Sequence, residues 1–81
     1  MNTQQLIIDA ETGVLKAQWD LSNMYYEGNG VTQDDEKAFY WTSKAALQGH
    51  ITSQFNLGFL YSSGIGTEED PDKAIFWFRK A

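Results

Sequence analysis

Apolar residues recur at helical spacing in two separate stretches of this chain. The shared spacing places them on one helix face, at Ala17, Leu21, Met24 and Tyr25 and again at Ile51, Phe55, Leu60 and Tyr61. Gly28 and Gly64 lie just past the last periodic residues, where a helix favours a left-handed residue. The pattern therefore predicts two α-helices, each called helix A, that end just before these glycines.

A second helix, called helix B, is expected after a short loop in each stretch. Asp34 and Asp70 are suited to cap its N-terminus, and Pro71 stands at the first helical position, where its missing N–H costs nothing. One face of helix B carries small and aromatic residues at helical spacing, at Ala38, Trp41 and Ala45 and again at Ala74, Trp77 and Ala81. Each stretch thus predicts an αα-hairpin.

The two hairpins are copies of one 36-residue unit. Residues 10–45 and 46–81 align without gaps and share 13 identical pairs, where about two are expected from composition. Six of the seven glycines fall in matched pairs. Residues 1–9 are expected to be an N-terminal capping segment, the tail of an unpaired helix B with Thr3 as its N-cap. The sequence predicts one all-α domain over residues 1–81.

Composition and charge exclude several classes of protein. The 81 residues include no cysteine, which excludes a disulfide framework, a thiolate metal site and a cysteine nucleophile. Six Lys and Arg against eleven Asp and Glu leave a net charge of −5, without the basic stripe of a nucleic-acid-binding protein. The N-terminus has no basic segment, and its longest apolar run is residues 6–8. We expect a soluble cytoplasmic protein without nucleic-acid or membrane partners.

The paired glycines raise the question of a phosphate-binding loop. Gly28 with Gly30, and Gly64 with Gly66, follow a predicted helix rather than a strand. The third glycine of a dinucleotide fingerprint and the Gly-Lys-Ser/Thr of a P-loop are both missing. The pairs are therefore interpreted as helix-hairpin turns, and no cofactor is expected.

The titratable residues do not form a recognisable catalytic or metal-binding pattern. His50, the only histidine, precedes helix A of the second unit, where capping or packing explains it. No nucleophile and acid stand at the spacing that a triad needs, and one imidazole gives little metal affinity. The acidic residues at 34–36 and 68–72 lie near the N-terminus of helix B, where negative charge interacts favourably with the helix dipole. The sequence predicts no catalytic or metal site and no enzyme.

A specific motif runs through both units. The pattern Ala-x-x-Gly-x-x-x-Ala-Gln-x-x-Leu-x-x-x-Tyr-x-x-Gly-x-Gly-Val-x-x-Asp-x-x-Lys-Ala-x-x-Trp-x-x-Lys-Ala fits residues 10–45 and, nearly complete, residues 46–81. With "LQGH" and "NLGFLY", it resembles the Sel-1-like repeat family over 72 of the 81 residues. The resemblance implies an α/α superhelix, or solenoid, related to tetratricopeptide repeats and used as a protein-binding scaffold. Ser22 stands where the second unit has Gly58, and serine is small enough for the close approach of helices A and B.

The resemblance also implies a partner-binding surface, because helix A lines the concave side of tetratricopeptide-like stacks. The helix A residues expected to face away from helix B are Lys16, Trp19, Asp20, Asn23, Tyr26, Glu27, Thr52, Phe55, Asn56, Phe59 and Ser63. Asn56 occupies the position before "LG" at which such domains often hold a peptide, whereas its counterpart Asp20 would repel an acidic peptide terminus. Packing between the repeats is a competing interpretation of Trp19 and Phe55.

The predicted function is a non-catalytic protein–protein interaction module, an adaptor or scaffold that binds a protein or peptide through helix A. Two alternatives remain open. The chain stops at Ala81 before its last helix is closed, so it is expected either to be a fragment of a longer repeat array or to have that end covered by another surface. Not all four of the apolar residues there can face one stripe, which favours a homo-oligomer through that helix; they are Ile75, Phe76, Trp77 and Phe78. An inhibitor or immunity-type protein that neutralises one toxin or effector would need a basic partner.

Overall fold

The computed structural model describes residues 3–81 as five α-helices joined by short turns. The helices are α1 (Thr3–Glu11), α2 (Leu15–Glu27), α3 (Asp35–Leu47), α4 (Ile51–Ser63) and α5 (Pro71–Lys80). Each helix packs on the next one along the chain. Residues 3–81 contain no β-strand, so the predicted all-α solenoid is confirmed, with α2 and α4 as helix A and α3 and α5 as helix B.

The turn inside each unit has the predicted chemistry. Gly28 and Gly64 are left-handed, with φ of 71° and 67°, and their N–H groups donate to the carbonyl four residues back. Asp34 and Asp70 each accept a hydrogen bond at 3.1 Å from the backbone N–H three residues further on. The glycine C-caps and the aspartate N-caps are both confirmed, and they reverse the chain so that helix B packs against helix A.

The core between helices A and B follows the register of the repeat. Leu21 and Leu57, which occupy the same position in the two units, are completely buried. The predicted apolar stripe of the second helix A is wrong at Ile51 and Phe55, which are 66% and 56% exposed. Ser53, the counterpart of buried Ala17, is buried in their place. Burial in α4 therefore follows the position of a residue within the repeat unit rather than its hydrophobicity.

One buried glutamine connects each helix A to the helix before it. Nε2 of Gln18 donates to the Ala10 carbonyl at 3.0 Å, and Nε2 of Gln54 donates to the Ala46 carbonyl at 3.2 Å. Both carbonyls lie in the last turn of a helix and also accept a hydrogen bond from a backbone N–H of the following turn. The glutamine side chains are buried, and a buried amide without a partner is costly. The helix-end carbonyl supplies that partner in both units.

The first helix, α1, packs on α2. Ala10 belongs to the buried core, and Leu6 and Ile7 pack against that core. Thr3, expected to be an N-cap, is the first described residue of α1, and residues 1 and 2 lie outside the described residues, so the cap stays a prediction. No helix in residues 3–81 combines the length and the apolar character needed to cross a membrane.

Candidate functional site

An open groove lies between the two helices of type A. The helices α2 and α4 form its walls, and α3, on which both of them pack, contributes to its floor. The groove has a volume of about 360 Å³. It is lined by Ser22, Asn23, Tyr26, Glu27, Thr42, Phe55, Asn56, Phe59 and Leu60. We call this surface the interhelix groove.

Aromatic rings form the apolar part of the interhelix groove. Tyr26, Phe55 and Phe59 are 44%, 56% and 43% exposed, whereas Thr42 and Leu60 are buried. Three exposed rings above a buried floor leave an apolar surface that a partner side chain can cover.

The ring of Phe55 packs against α5. Its centroid lies 5.4 Å from that of Phe78, with the two planes tilted by 51°. Phe78 reaches this place beside Gly58, where an added Cβ would come within 2.8 Å of the Phe78 ring. In the first unit the corresponding positions hold Ser22 and Thr42, so the larger residue on helix A faces the smaller one on helix B. The expected close approach of the helices at Gly58 is confirmed.

Two asparagines supply the polar chemistry of the groove. Asn23 and Asn56 are half-buried, and neither side-chain amide forms a hydrogen bond within residues 3–81. A primary amide can donate two hydrogen bonds and accept others, which matches the N–H and C=O groups of an extended peptide. Glu27 also lines the groove, and its carboxylate forms no ion pair among the described residues.

The structure brings together six of the eleven residues that the sequence predicted for this surface, namely Asn23, Tyr26, Glu27, Phe55, Asn56 and Phe59. The other five lie outside the interhelix groove. Lys16 pairs with Asp20 at 3.1 Å, and Trp19 packs on His50, with ring centroids 4.9 Å apart. Thr52 and Ser63 are exposed on α4.

Sequence reasoning missed three residues of the groove. Ser22, Thr42 and Leu60 line it but were assigned to packing or to helix B. Leu60 carried no signal that separates it from the core, in which it is largely buried. The sequence did contain a signal for Ser22 and Thr42. Their counterparts in the second unit are Gly58 and Phe78, and a smaller residue on helix A paired with a larger one on helix B indicates that the two positions are in contact.

His50 caps a helix, as expected. Its Nδ1 accepts a hydrogen bond from the Ser53 backbone N–H at 3.3 Å and lies 2.6 Å from Ser53 Oγ. Ser53 is fully buried, so this hydroxyl cannot meet a substrate as a nucleophile would. Among residues 3–81, no group of three histidine or acidic side chains is close enough to hold a metal ion.

A second surface lies on α5, on the outer side of the stack. Ile75 and Phe76 are exposed there, whereas the Phe78 ring lies toward α4. A shallow depression of about 400 Å³ beside them is lined by Asp72, Ile75, Phe76, Arg79 and Lys80. We call this surface the α5 face.

Comparison with known families gives one clear match. The sequence model of the family described as Sel1 repeat matches residues 15–50 and 51–81. The two segments start 36 residues apart, which is the period found in the sequence, and each begins at helix A.

Known structures and one curated protein are similar to this chain. A Sel1 repeat protein from Oxalobacter formigenes superposes with a TM-score of 0.88 at 35% identity, over 96% of this chain and 60% of that one. A protective antigen with an SLR fold, present in uropathogenic Escherichia coli strains, superposes with a TM-score of 0.86 at 39% identity, over 93% of this chain and 16% of that one. An exopolysaccharide production negative regulator of Rhizobium leguminosarum bv. viciae is 52% identical over 40 residues, which is 49% of this chain and 15% of that protein. The chain therefore spans 60% or less of the length of each of these three relatives.

Proposed function

Because the chain belongs to the Sel1 repeat family, whose repeats generally serve in protein–protein interaction, we propose that it is a non-catalytic module that binds an extended segment of a partner protein in the interhelix groove. The observation that carries the proposal is the pair of half-buried amides of Asn23 and Asn56, which have no hydrogen-bond partner in residues 3–81 and lie beside exposed aromatic rings.

The two kinds of side chain in the groove have complementary roles in this proposal. The amides hold the peptide backbone, which every sequence shares, while Tyr26, Phe55 and Phe59 cover an apolar side chain of the partner. Aromatic anchors that surround a desolvated contact typically supply much of the energy of an interface. The walls are α-helices fixed by the core, so little ordering of the module opposes binding.

The non-catalytic part of the proposal rests on what the groove contains. Its nine lining residues include no histidine, lysine or arginine and only one carboxylate, from Glu27. General acid–base or nucleophilic chemistry needs at least two cooperating groups within hydrogen-bond reach. The Sel1 repeat fold is typically a non-catalytic scaffold, which agrees with this composition.

Selection from a phage-displayed random peptide library tests the proposal. The purified protein is the bait, and each recovered peptide is synthesised and titrated against the native chain and a Phe55→Ala/Asn56→Ala variant. We expect peptides whose affinity falls at least about tenfold in the variant, because an aromatic anchor and a backbone hydrogen bond are lost together.

The matched control is Tyr40→Ala, which removes an exposed aromatic residue of α3 that does not line the groove. It should bind the selected peptides as the native chain does, and all variants should keep the native far-ultraviolet circular dichroism. Peptides that bind the Phe55→Ala/Asn56→Ala variant unchanged, or no recovered peptide at all, would contradict the proposal.

A second candidate function is favoured by the α5 face. Exposed apolar residues that lie together on one surface are typical of protein contacts, and Ile75 and Phe76 form such a pair on the α5 face. In this alternative, copies of the chain associate through α5. Sedimentation velocity over a range of concentrations tests it: a mass that rises with concentration and returns to the monomer in Phe76→Ser supports self-association, and a constant monomer mass refutes it.

A further inference from the structure

The interhelix groove carries an electrostatic pattern that is not explained by folding. Glu27 is the last residue of α2, at the negative end of the helix dipole. A carboxylate at this end of a helix is locally unfavourable, and α2 has no basic residue in its last turn to offset it. Departures of this kind from local rules are typical of functional sites.

The lysines of the chain do not relieve this charge. Every lysine of α3 and α5 lies over an aromatic ring, at 5.3 to 5.8 Å from the centroid: Lys37 over Tyr25, Lys44 over Tyr40, Lys73 over Tyr61 and Lys80 over Phe76. The remaining lysine, Lys16, pairs with Asp20. Within residues 3–81, the groove rings Tyr26, Phe55 and Phe59 have no cation above them.

We infer that the partner segment carries an arginine beside its apolar anchor, and that this arginine binds Glu27 and stacks on the aromatic rim of the groove. This inference rests on the proposed function, because it names the chemistry of the segment that the groove holds. A guanidinium group can meet a carboxylate with two parallel hydrogen bonds while its flat face lies on an aromatic ring.

Charge complementarity favours the same occupant. The protein has a net charge of −5, and the groove lining offers a carboxylate, two neutral amides and no cationic side chain. An acidic segment would place like charges together in a partly desolvated groove, and a purely apolar segment would leave Glu27 without a partner as it is covered. An arginine-bearing segment avoids both costs.

Matched peptides test the inference on the full chain. Each peptide recovered by the library selection is synthesised with its arginine kept, replaced by glutamine, or replaced by glutamate, and titrated by calorimetry. We expect the selected peptides to be enriched in arginine next to Leu, Ile, Met or Phe. The arginine form should bind about three- to tenfold tighter than the glutamine form, which is the size of one exposed ion pair plus a helix-dipole contact. The glutamate form should bind most weakly.

Two variants localise the effect. Glu27→Gln should abolish the preference for arginine over glutamine, while the control Glu68→Gln, which makes the same change of net charge in a loop outside the groove, should keep it. Glu27→Gln should fold as well as the native chain or better, since it removes an unfavourable charge from the C-terminus of a helix.

The outcomes separate the two proposals. Peptides that need Phe55 and Asn56 but show no arginine preference, or keep it in Glu27→Gln, overturn this inference and leave the peptide-binding function standing. Peptides that bind without need of Phe55 and Asn56, or no peptide binding at about 1 mM, overturn both.

Discussion

The contact between Gly58 and Phe78 yields a quantitative prediction about how the second repeat supports the groove. A Cβ added at Gly58 would lie 2.8 Å from two carbon atoms of the Phe78 ring, well inside van der Waals contact. Forcing extra volume into a packed site costs about 1–3 kcal/mol, while replacing glycine by alanine within a helix gains about 1 kcal/mol. Gly58→Ala should therefore destabilise the protein by about 0–2 kcal/mol.

The same substitution should behave differently when the ring is absent. Phe78→Thr copies the residue that stands at this position in the first unit, Thr42, and it removes the ring that the Cβ would meet. The added Cβ also lies 3.2 Å from the Ala74 carbonyl oxygen in both backgrounds, so this contact cancels in the coupling energy. In the Phe78→Thr background, Gly58→Ala should stabilise by at most about 1 kcal/mol, because the contact with the Ala74 oxygen remains. The coupling energy between the two sites is then about 1–3 kcal/mol.

Urea unfolding of the four proteins of this double-mutant cycle, followed by circular dichroism, measures the coupling. Phe78→Thr alone should cost about 1–2 kcal/mol, because Phe78 is 39% exposed and a fully buried Phe contributes about 1.5–3 kcal/mol. A Gly58→Ala effect that is the same in both backgrounds, within about 0.5 kcal/mol, would refute the reasoning. The ring would then not be what requires glycine, and its support of Phe55 would be in doubt.

Three further predictions concern the repeat itself. Gln54→Leu should lower the free energy of unfolding by about 1 kcal/mol in urea titrations, because its hydrogen bond to the Ala46 carbonyl is lost while that carbonyl keeps the one from the Gly49 N–H. Exposed Gln4→Leu should change it by less than about 0.5 kcal/mol, and equal effects would contradict the account. Asp70→Ala should cost about 1 kcal/mol of stability by the same measurement, and Asp70→Asn much less, because asparagine can still cap α5. Gly66→Ala should destabilise more than either, since Gly66 has a φ of 72° and an added Cβ would overlap the backbone at Asp35; an unchanged midpoint of thermal unfolding would count against this.

Much of the fold could be predicted because its signals are local. The left-handed turns at Gly28 and Gly64 and the caps at Asp34 and Asp70 each depend on the chemistry of a single residue, and each appears twice at the same position. The repeat then turns two local predictions into a stack, since each hairpin can bury its apolar face only against a neighbour.

The burial of the second helix A was harder to predict. Ile51 and Phe55 have the hydrophobic side chains typical of a core, yet they are exposed, and Ser53 is buried. The apolar spacing of α4 is compatible with more than one face, and packing against α3 and α5 selects the face that matches Ala17 in the first unit. Tertiary contact, rather than local hydropathy, decides the register.

The candidate site could be predicted only in part. The resemblance to tetratricopeptide-like stacks placed the candidate residues on helix A, and six of them line the groove between α2 and α4. It did not indicate how far α2 is offset from α4, and this offset brings the last turns of α2, at Asn23 and Tyr26, opposite the middle of α4, at Phe55 and Phe59. Trp19, Lys16 and Thr52 consequently lie outside the groove although they belong to the same helices.

The central claim, that the interhelix groove holds a partner segment, is tested most directly by nuclear magnetic resonance on the labelled protein titrated with a selected peptide. The account predicts that the side-chain amide signals of Asn23 and Asn56 shift together, accompanied by the backbone signals of Phe55 and Phe59. Shifts confined to α5 around Phe76, with the two asparagine side chains unchanged, would contradict it.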